Sequence, residues 1–304
     1  MTEREPLPVV CLAGPTGAGK TAMALALADA LNGEIINADS RQVYAAFPII
    51  TAQPTGTERA RCPHHCYAFL PTEQKISAGR WAEAAGEAAR NVLARGKTPL
   101  LVGGTGLYFQ SLLRGMAKIP PVDPAISAGF EARLTADGLP ALHGELSRVD
   151  SAYAAHVHPN DKQRILRALE VFYATKRPFS WWHAHAETTP PARGPLIVLK
   201  AELNALTPRL AGRIERMIAD GAFDEASKAL AACPDTSAPG WSGIGAAETL
   251  AHIQGRLSRD ECVRLWLKNT RAYAKRQITW FRAQAKAHFV APGDTAAALA
   301  RCRV

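Results

Sequence analysis

The sequence lacks the features of a secreted or membrane-spanning protein. Its six cysteines are scattered along 304 residues without a regular disulfide spacing, and no secretory signal precedes the first apolar segment. No apolar run reaches the ~20 residues that a spanning helix needs. We therefore expect a cytoplasmic protein with reduced thiols that does not enter a membrane.

Metal-binding clusters and acidic residues are also scarce. The segment Cys62-Pro63-His64-His65-Cys66 is not followed by the second, separated ligand pair that zinc sites usually use, so it does not predict zinc. Asp and Glu number 27 against 36 Lys and Arg, which gives a net charge of +9 and a pI of about 9.4. This balance indicates an anionic partner, either a nucleic acid or an anionic small substrate.

Apolar residues are plentiful, at 47%, and their pattern predicts an α/β core. Short β-rich runs alternate with alanine-rich helical segments and end in glycine-rich turns, which is typical of a parallel sheet. The predicted order is a strand at 7–13, a helix at 21–31, a strand at 34–38, a helix at 81–95 and a strand at 99–102.

The sequence pattern changes near Pro120-Pro121. After this point charged residues and helical periodicity replace the strand-like runs. Strand character returns at 196–199, and the pattern from 205 onward is helical. We therefore expect a core made of residues 1–119 and 193–304 and a mainly helical insertion domain at 120–192.

The segment that carries the clearest chemistry opens the first helix. It matches G-x-x-x-x-G-K-[ST] between a strand and a helix, the context that supports a phosphate-binding loop. Its glycines let backbone N–H groups face phosphate oxygens, Lys20 adds a full positive charge, and Thr21 can ligate Mg²⁺. We expect all eight residues to bind a diphosphate or polyphosphate: Gly14, Pro15, Thr16, Gly17, Ala18, Gly19, Lys20 and Thr21.

Two further segments follow predicted strands. Asp39 stands at the end of the second strand, where ligands gather in open α/β sheets. It is compatible with a Mg²⁺ ligand, a general base or a helix cap. After the third strand come Gly103-Gly104-Thr105-Gly106, whose small residues allow another group to approach the backbone closely.

Residues 262–286 contain seven cations and no acidic residue. At helical spacing, Val263, Leu267, Thr270, Ala274, Ile278 and Phe281 are expected to face the core. On the opposite side lie Arg264, Lys268, Arg271, Lys275 and Arg282, a basic stripe of roughly 37 Å at ~1.5 Å per residue. Surface helices usually mix charge signs, so this stripe favours contact with a phosphate backbone over a merely solvated face.

Together these segments resemble the bacterial tRNA dimethylallyltransferases, also called tRNA isopentenyltransferases or the IPP transferase family. The matching pieces span nearly the whole chain in the family's order: GPTGAGKT, INADSRQVY, PHH at 63–65, LLVGGTGLYF, QRILRALEVF, the helix around Arg209 and Arg213, and TRAYAKRQITWFR. The resemblance implies a P-loop NTPase-like sheet and transfer of a dimethylallyl group from dimethylallyl diphosphate to the exocyclic amine of adenosine 37 in tRNA.

The resemblance also implies roles for individual residues. The catalytic set is Asp39 as general base, Lys20 and Arg213 at the leaving diphosphate, and Thr105 near the target base, with Mg²⁺ as cofactor. The tRNA-contacting set implied by the resemblance is Asp39, Ser40, Arg41, Gln42, Thr105, Gln163, Arg164, Ile165, Leu166 and Arg167. The basic segment 262–286 adds Lys268, Arg271, Lys275 and Arg276. The insertion is expected to grip the anticodon loop, and the enzyme is expected to act as a monomer.

The chain departs from the family pattern at Ile50, Gln53, Ser127, Ala246 and Ala247. Three other functions share part of the pattern. A P-loop small-molecule kinase would share the loop and the sheet but does not need the basic stripe. An adenylate prenyltransferase would use a free nucleotide, and an NTPase-driven RNA-binding protein would bind RNA without transferring a group.

Overall fold

The computed structural model describes residues 5–186 and 189–302. The chain divides into two compact units, Met1–Arg114 with Pro190–Val304 and Gly115–Thr189. The insertion therefore begins at 115 and ends at 189, where the sequence pattern placed its limits at 120 and 192. The difference arises because the extended, proline-containing residues before 124 carry no periodic pattern from which a boundary could be located.

The larger unit is built on a parallel sheet. The described strands are β1 (Leu7–Pro8), β2 (Val10–Ala13), β3 (Gly33–Asn37), β4 (His64–His65), β5 (Thr98–Gly103), β6 (Ala192–Arg193), β7 (Leu196–Leu199) and β8 (Ala287–Val290). The main sheet has the order β4-β3-β5-β2-β7-β8, and all of its pairs are parallel. Strands β1 and β6 pair separately, also in parallel. The α/β class with a parallel sheet is thus confirmed.

The described helices fall into three groups along the chain. Before the insertion they are α1 (Lys20–Leu31), α2 (Gly56–Arg61), α3 (Ala78–Ala94) and α4 (Gly106–Arg114). Within the insertion they are α5 (Pro124–Val149), α6 (Ser151–Ala154), α7 (Lys162–Thr175) and α8 (Phe179–Ala184). After it they are α9 (Leu203–Ala219), α10 (Ala222–Ala232), α11 (Ala246–Ile253), α12 (Arg259–Arg282) and α13 (Thr295–Cys302).

The strands are buried on both faces, as expected of a parallel sheet. One face packs Cys11, Ile36 and Leu101 against Trp81 of α3, which is fully buried. The opposite face packs Leu12 and its neighbours against α1. This double covering leaves the carboxyl edge of the strands as the place where loops can form a site.

Two predicted elements differ from the structure. The expected strand at 7–13 is two strands in different sheets, since β1 pairs with β6 whereas β2 pairs with β5 and β7. The region after 205 is not wholly helical, since β8 adds an edge strand beside β7. Two of the four residues of β8 are exposed, so its hydrophobic signal is weak.

The insertion has its own hydrophobic core, which includes Phe130, Leu142 and Leu146 of α5. Gly138 has a φ of 77° and breaks α5 into two parts. Ile165 and Leu166 of α7 are buried in this core, at 0% and 4% exposure. Their side chains therefore pack inside the insertion, and a role for these two residues in binding tRNA stays a prediction.

Two features of the described residues concern spanning helices and metal-binding clusters. Among them, no helix is long and apolar enough to cross a membrane. The same residues hold no group of three or more potential metal-binding side chains. His64 and His65 form the short edge strand β4, and His65 instead hydrogen-bonds Glu34 at 2.7 Å. All six cysteines are free.

Candidate active site

The loops that follow β3, β5 and β2 meet at one edge of the sheet, because these strands are consecutive neighbours and run in the same direction. They are the phosphate-binding loop (residues 14–21), the Asp39 loop and the strand-end turn (residues 103–106). The three segments that sequence patterns single out thus lie side by side, at the edge where open α/β sheets bind ligands.

The phosphate-binding loop leaves a set of backbone donors free. Gly17 and Gly19 have φ values of 79° and 87°, a region that favours glycine. Within the described residues, no acceptor contacts the N–H groups of Gly17, Gly19, Lys20, Thr21 or Ala22. Converging N–H groups at a helix N-terminus form an anion site, so the loop can hold phosphate oxygens.

Lys20 lies across this loop. Its ammonium group donates to the carbonyls of Gly14 and Pro15, both at 3.0 Å. Burial lowers the pKa of Lys20 to about 8, an effect that the charge of Asp39 opposes and that of Arg213 reinforces. The charges of Lys20, Asp39 and Arg213 therefore interact electrostatically, as expected for residues that line one cleft.

Helix α9 brings Arg213 to the loop. Leu206 and Leu210 of α9 pack at Gly17, where any Cβ would lie 2.8 Å from Leu210 Cδ2. Arg213 stands one turn further along α9 and lines the same cleft. Burial lowers the pKa of Arg213 and the carboxylate of Asp39 raises it. Because Leu210 packs against the loop, Arg213, three residues later on the helix, lies in the same cleft as Lys20.

Asp39 is held by a local network. Its backbone N–H donates to Asn37 Oδ1 at 2.8 Å, and its Oδ1 accepts from the Arg41 N–H at 2.9 Å. Asn37 is fully buried and its Nδ2 also donates to the carbonyls of Asp39 and Cys66. In the described part of the chain, no hydrogen bond engages Asp39 Oδ2. One carboxylate oxygen is therefore fixed and the other is left for a ligand.

Thr105 joins the strand-end turn to the Asp39 loop. Its Oγ1 accepts from the Ser40 N–H at 2.9 Å, and its own N–H donates to the Ala38 carbonyl at 3.1 Å. Tyr273 of α12 lies near Thr105 and Asp39. Burial raises the pKa of its phenol, and the charge of Asp39 raises it further. A hydrogen bond with Thr105 offsets part of this shift. Tyr273 therefore stays a neutral hydroxyl, and sequence patterns did not single it out.

Close backbone approach explains the glycines of the strand-end turn. A Cβ at Gly103 would collide with the Ala38 carbonyl, and one at Gly106 would collide with the Trp280 ring. The expectation that small residues here admit another group is confirmed. The approaching groups are the chain after β3 and helix α12.

The cleft has a volume of about 1250 Å³ and combines several cations, among them Lys20 and Arg213, with the carboxylate of Asp39 and apolar walls. Its polar residues include Thr16, Lys20, Thr21, Asp39, Arg41, Gln42, Arg213, Tyr273 and Arg276. Apolar side chains such as Ile35, Ile49 and Ile50 also line it. It is chemically suited to a substrate with an anionic end and an apolar end.

The departures from the family pattern fall partly on this cleft. Gln53 is buried and donates from Nε2 to the Tyr44 carbonyl at 2.8 Å. Gln42 similarly donates to the carbonyls of Thr51 and Ala52. These amides brace the loop that forms one wall of the cleft, so Gln53 has a structural contact although it carries no charge. Ser127 lies in α5, and Ala246 and Ala247 lie in α11.

The predicted basic stripe lies on α12, and Lys286, the last of the seven cations of residues 262–286, follows the helix. Its five expected cations are exposed: Arg264, Lys268, Arg271, Lys275 and Arg282. Four of them line a groove of about 490 Å³ against Leu203 and Thr207 of α9, here called the basic groove. Arg271 is anchored there by Thr207 Oγ1 at 3.1 Å and Asn204 Oδ1 at 3.3 Å.

The inner face of α12 differs in part from the expectation. Ala274 and Phe281 are buried as predicted, and Val263, Leu267 and Ile278 are half-buried. Thr270 is half-buried and lines the cleft. Trp266 and Gln277 are also buried. The spacing of apolar and cationic residues along α12 does not reveal that Gln277 is buried, because a glutamine is normally assigned to the surface.

The remaining site candidates lie in the insertion. Gln163, Arg164 and Arg167 of α7 are exposed, and the two arginines pair with Asp161 and Glu170 of the same segment. These residues belong to a different compact unit from the cleft. A role for them in binding RNA stays a prediction.

Comparison with known proteins agrees with this geometry. Residues 42–284 match the family model described as IPP transferase. The chain is 64% identical to the tRNA dimethylallyltransferase of Desulfovibrio desulfuricans, over 95% of this chain and 90% of the relative. It is 55% identical to that of Nitratidesulfovibrio vulgaris, over 94% and 93%.

Solved structures are similar as well. The tRNA isopentenylpyrophosphate transferase of Bacillus halodurans superposes with a TM-score of 0.67 at 32% identity, covering 94% of this chain and 90% of that one. A eukaryotic dimethylallyltransferase captured acting on tRNA gives a TM-score of 0.77 at 28% identity, covering 95% and 75%.

Proposed function

Since this chain belongs to the IPP transferase family, we propose that it transfers a dimethylallyl group from dimethylallyl diphosphate to N6 of adenosine 37 in tRNA. The observation that carries the proposal is the cleft itself. A phosphate cradle, two cations and a carboxylate with one free oxygen converge there beside apolar walls.

The chemistry requires three contributions from the protein. The exocyclic amine of adenine is a poor nucleophile because its lone pair is delocalised into the ring. The N6–C1 bond forms as the C1–O bond breaks, and the electron pair of that bond leaves on the diphosphate. Catalysis therefore needs alignment of the two substrates, stabilisation of the departing negative charge, and removal of the proton from N6.

We assign these tasks to residues of the cleft. The free N–H groups of the phosphate-binding loop, with Lys20 and Arg213, bind and stabilise the diphosphate. Asp39 accepts the N6 proton through its unengaged oxygen. Tyr273 lines the cleft and Thr105 holds the Asp39 loop through the Ser40 N–H, and we propose that both contact the adenine. The base must be extruded from the folded loop to reach them.

Mg²⁺ fits the donor set of the cleft. The hydroxyl of Thr21 and the carboxylate of Asp39 line it together, and hydroxyl, carboxylate and phosphate oxygens are the ligands that this ion prefers. Thr21 would hold the ion at the phosphates, and the ion would neutralise part of the diphosphate charge.

The tRNA is proposed to lie along two surfaces. The basic groove would contact the phosphate backbone, with Arg276 beside the cleft. Exposed Gln163, Arg164 and Arg167 would give the insertion its contacts with the anticodon loop. The substrate implies a cytoplasmic enzyme, and the proposal takes it as a monomer.

The proposal is tested with labelled dimethylallyl diphosphate and unmodified tRNA. Label transferred to A37 supports it, and the same tRNA with A37 replaced should accept none. Transfer to free AMP instead would indicate an adenylate prenyltransferase. RNA-stimulated ATP hydrolysis without transfer would indicate an RNA-dependent NTPase, and transfer of a phosphoryl group to a small acceptor would indicate a kinase.

Lys20→Ala and Arg213→Ala should each lower the turnover number more than they weaken binding of dimethylallyl diphosphate. Their charges matter most as the C1–O bond breaks and negative charge builds up on the leaving group. Single-turnover rates and equilibrium affinities for each variant provide the comparison. Arg216→Ala is the matched control for Arg213, because Arg216 lies one turn further on α9 and lines the same cleft but is exposed. Equal losses in binding and turnover would contradict the assignment.

The activity should decline on the alkaline side of pH 8. Lys20 is charged below its pKa of about 8 and loses its charge as the pH rises through that value. The kcat/KM for dimethylallyl diphosphate should therefore fall by up to about tenfold per pH unit above it. In Lys20→Arg the guanidinium stays charged, so this decline should be absent from its profile. Parallel wild-type and Lys20→Arg profiles up to pH 9.5 would disprove the role of Lys20.

A further inference from the structure

A buried glutamine connects two of the three loops of the site. Gln277 of α12 is 4% exposed. Its Oε1 accepts from the Thr16 N–H in the phosphate-binding loop at 2.9 Å. Its Nε2 donates to the Gly104 carbonyl in the strand-end turn, also at 2.9 Å. One side-chain amide therefore spans the gap between the loops that follow β2 and β5.

The two backbone partners determine which chemistry fits this position. Thr16 offers a donor and Gly104 offers an acceptor, so the bridging group must carry one acceptor and one donor. A Cβ at Gly104 would collide with Gln277 Nε2, so the side-chain amide packs directly against the backbone of the turn. Trp280 packs against Gly106 nearly one turn further along α12, so the helix contacts the strand-end turn at two points.

The contact also divides the donors of the phosphate-binding loop. The Thr16 N–H is occupied by Gln277, whereas the N–H groups of Gly17, Gly19, Lys20 and Thr21 have no acceptor in the described residues. An anchored Thr16 restricts the loop to a shape in which the other donors already converge. Such preorganisation lowers the entropic cost of ordering the loop around a ligand.

We propose that Gln277 is a positioning residue that holds the phosphate-binding loop in its diphosphate-binding shape and ties it to the turn that carries Thr105. The inference rests on the proposed function, since it takes the ligand of the loop to be a diphosphate. Helix α12 also carries the basic groove on its outer side, so the same helix that meets the RNA backbone would set the loop that binds the diphosphate.

The test is titration of the full-length protein with inorganic diphosphate, with tRNA binding measured in parallel. Gln277→Met keeps the length of the side chain but removes both hydrogen bonds. It should raise the dissociation constant for diphosphate about tenfold or more, because the loop loses the contact that preorganises it and must be ordered by the ligand. Gln277→Glu should bind diphosphate more weakly still, because it adds a negative charge beside the anion site. The affinity for tRNA should change less than about twofold in Gln277→Met.

Gln284→Met is the matched control, because Gln284 follows α12 and bonds Arg114 and the Trp280 carbonyl instead of the loop. It should leave diphosphate affinity unchanged. The inference is overturned if Gln277→Met binds diphosphate like the wild type, or if it loses diphosphate and tRNA affinity together with thermal stability. A wild type that binds diphosphate and modifies tRNA keeps the proposed function in either case. A wild type that binds no diphosphate would refute both.

Discussion

Asp39→Ala should lower the turnover number by about 10²–10⁴-fold while tRNA binding stays largely intact, because loss of a general base typically costs that much in rate. The structural reason is that Asp39 Oδ1 is engaged by the Arg41 N–H, whereas Oδ2 is left to accept the N6 proton. The measurement is single-turnover prenylation at saturating concentrations of both substrates.

Two further variants separate proton removal from loop geometry. Asp39→Asn retains an oxygen that can accept from the Arg41 N–H but cannot take a proton, so it should be nearly as inactive as Asp39→Ala. Asp220→Ala removes an exposed carboxylate from the same cleft and should leave the rate almost unchanged. Near wild-type turnover in Asp39→Asn would show that Asp39 is not the base.

Reversing the charges of Lys268, Arg271 and Lys275 to Glu should weaken tRNA binding by about a hundredfold at low salt, if each lost contact is worth about 1 kcal/mol. Binding of dimethylallyl diphosphate should be unaffected, because the basic groove lies outside the residues of the cleft. Contacts with phosphates release counterions, so losing three of them should flatten the slope of log affinity against log salt by about two to three.

The control variant reverses Arg80, Arg90 and Lys228, three exposed cations that are not part of the groove. It has the same net charge, so a general electrostatic effect would appear in both variants. Arg271 also donates hydrogen bonds to Asn204 and Thr207. The double variant Lys268→Glu and Lys275→Glu leaves these bonds intact and so tests the effect of charge alone. If wild type and triple variant share one salt slope and similar affinities, the groove does not bind the RNA backbone, and Arg164 and Arg167 become the next candidates.

Much of the site could be predicted from sequence because its parts follow strands directly. A glycine-rich loop with a terminal lysine, an Asp after the second strand and small residues after the third need only parallel strands to bring them together. The structure has these strands adjacent and parallel. Arg213 required more, since its place depends on how α9 packs against Gly17 through Leu206 and Leu210.

What the sequence pattern left undetermined has a common physical origin. Ile165 and Leu166 match a motif as a continuous string, but a helix turns neighbouring side chains to different faces, and these two are buried while Arg164 and Arg167 are exposed. Gln277 was overlooked for the converse reason, because its amide is buried where a polar residue would be expected to face solvent. The pattern along the chain reveals the period of a helix, but not which backbone groups its buried face will meet.

The sequence by itself determined the α/β class, the phosphate-binding loop and the run of cations without acidic residues, since each depends on residues close together in the chain. Tertiary structure alone decided which groups share the cleft. Lys20 and Arg213 are 193 positions apart, and Thr16 and Gln277 are separated by 261. Packing of α9 and α12 against the carboxyl edge of the sheet brings these pairs together, and that packing depends on side chains from the whole core.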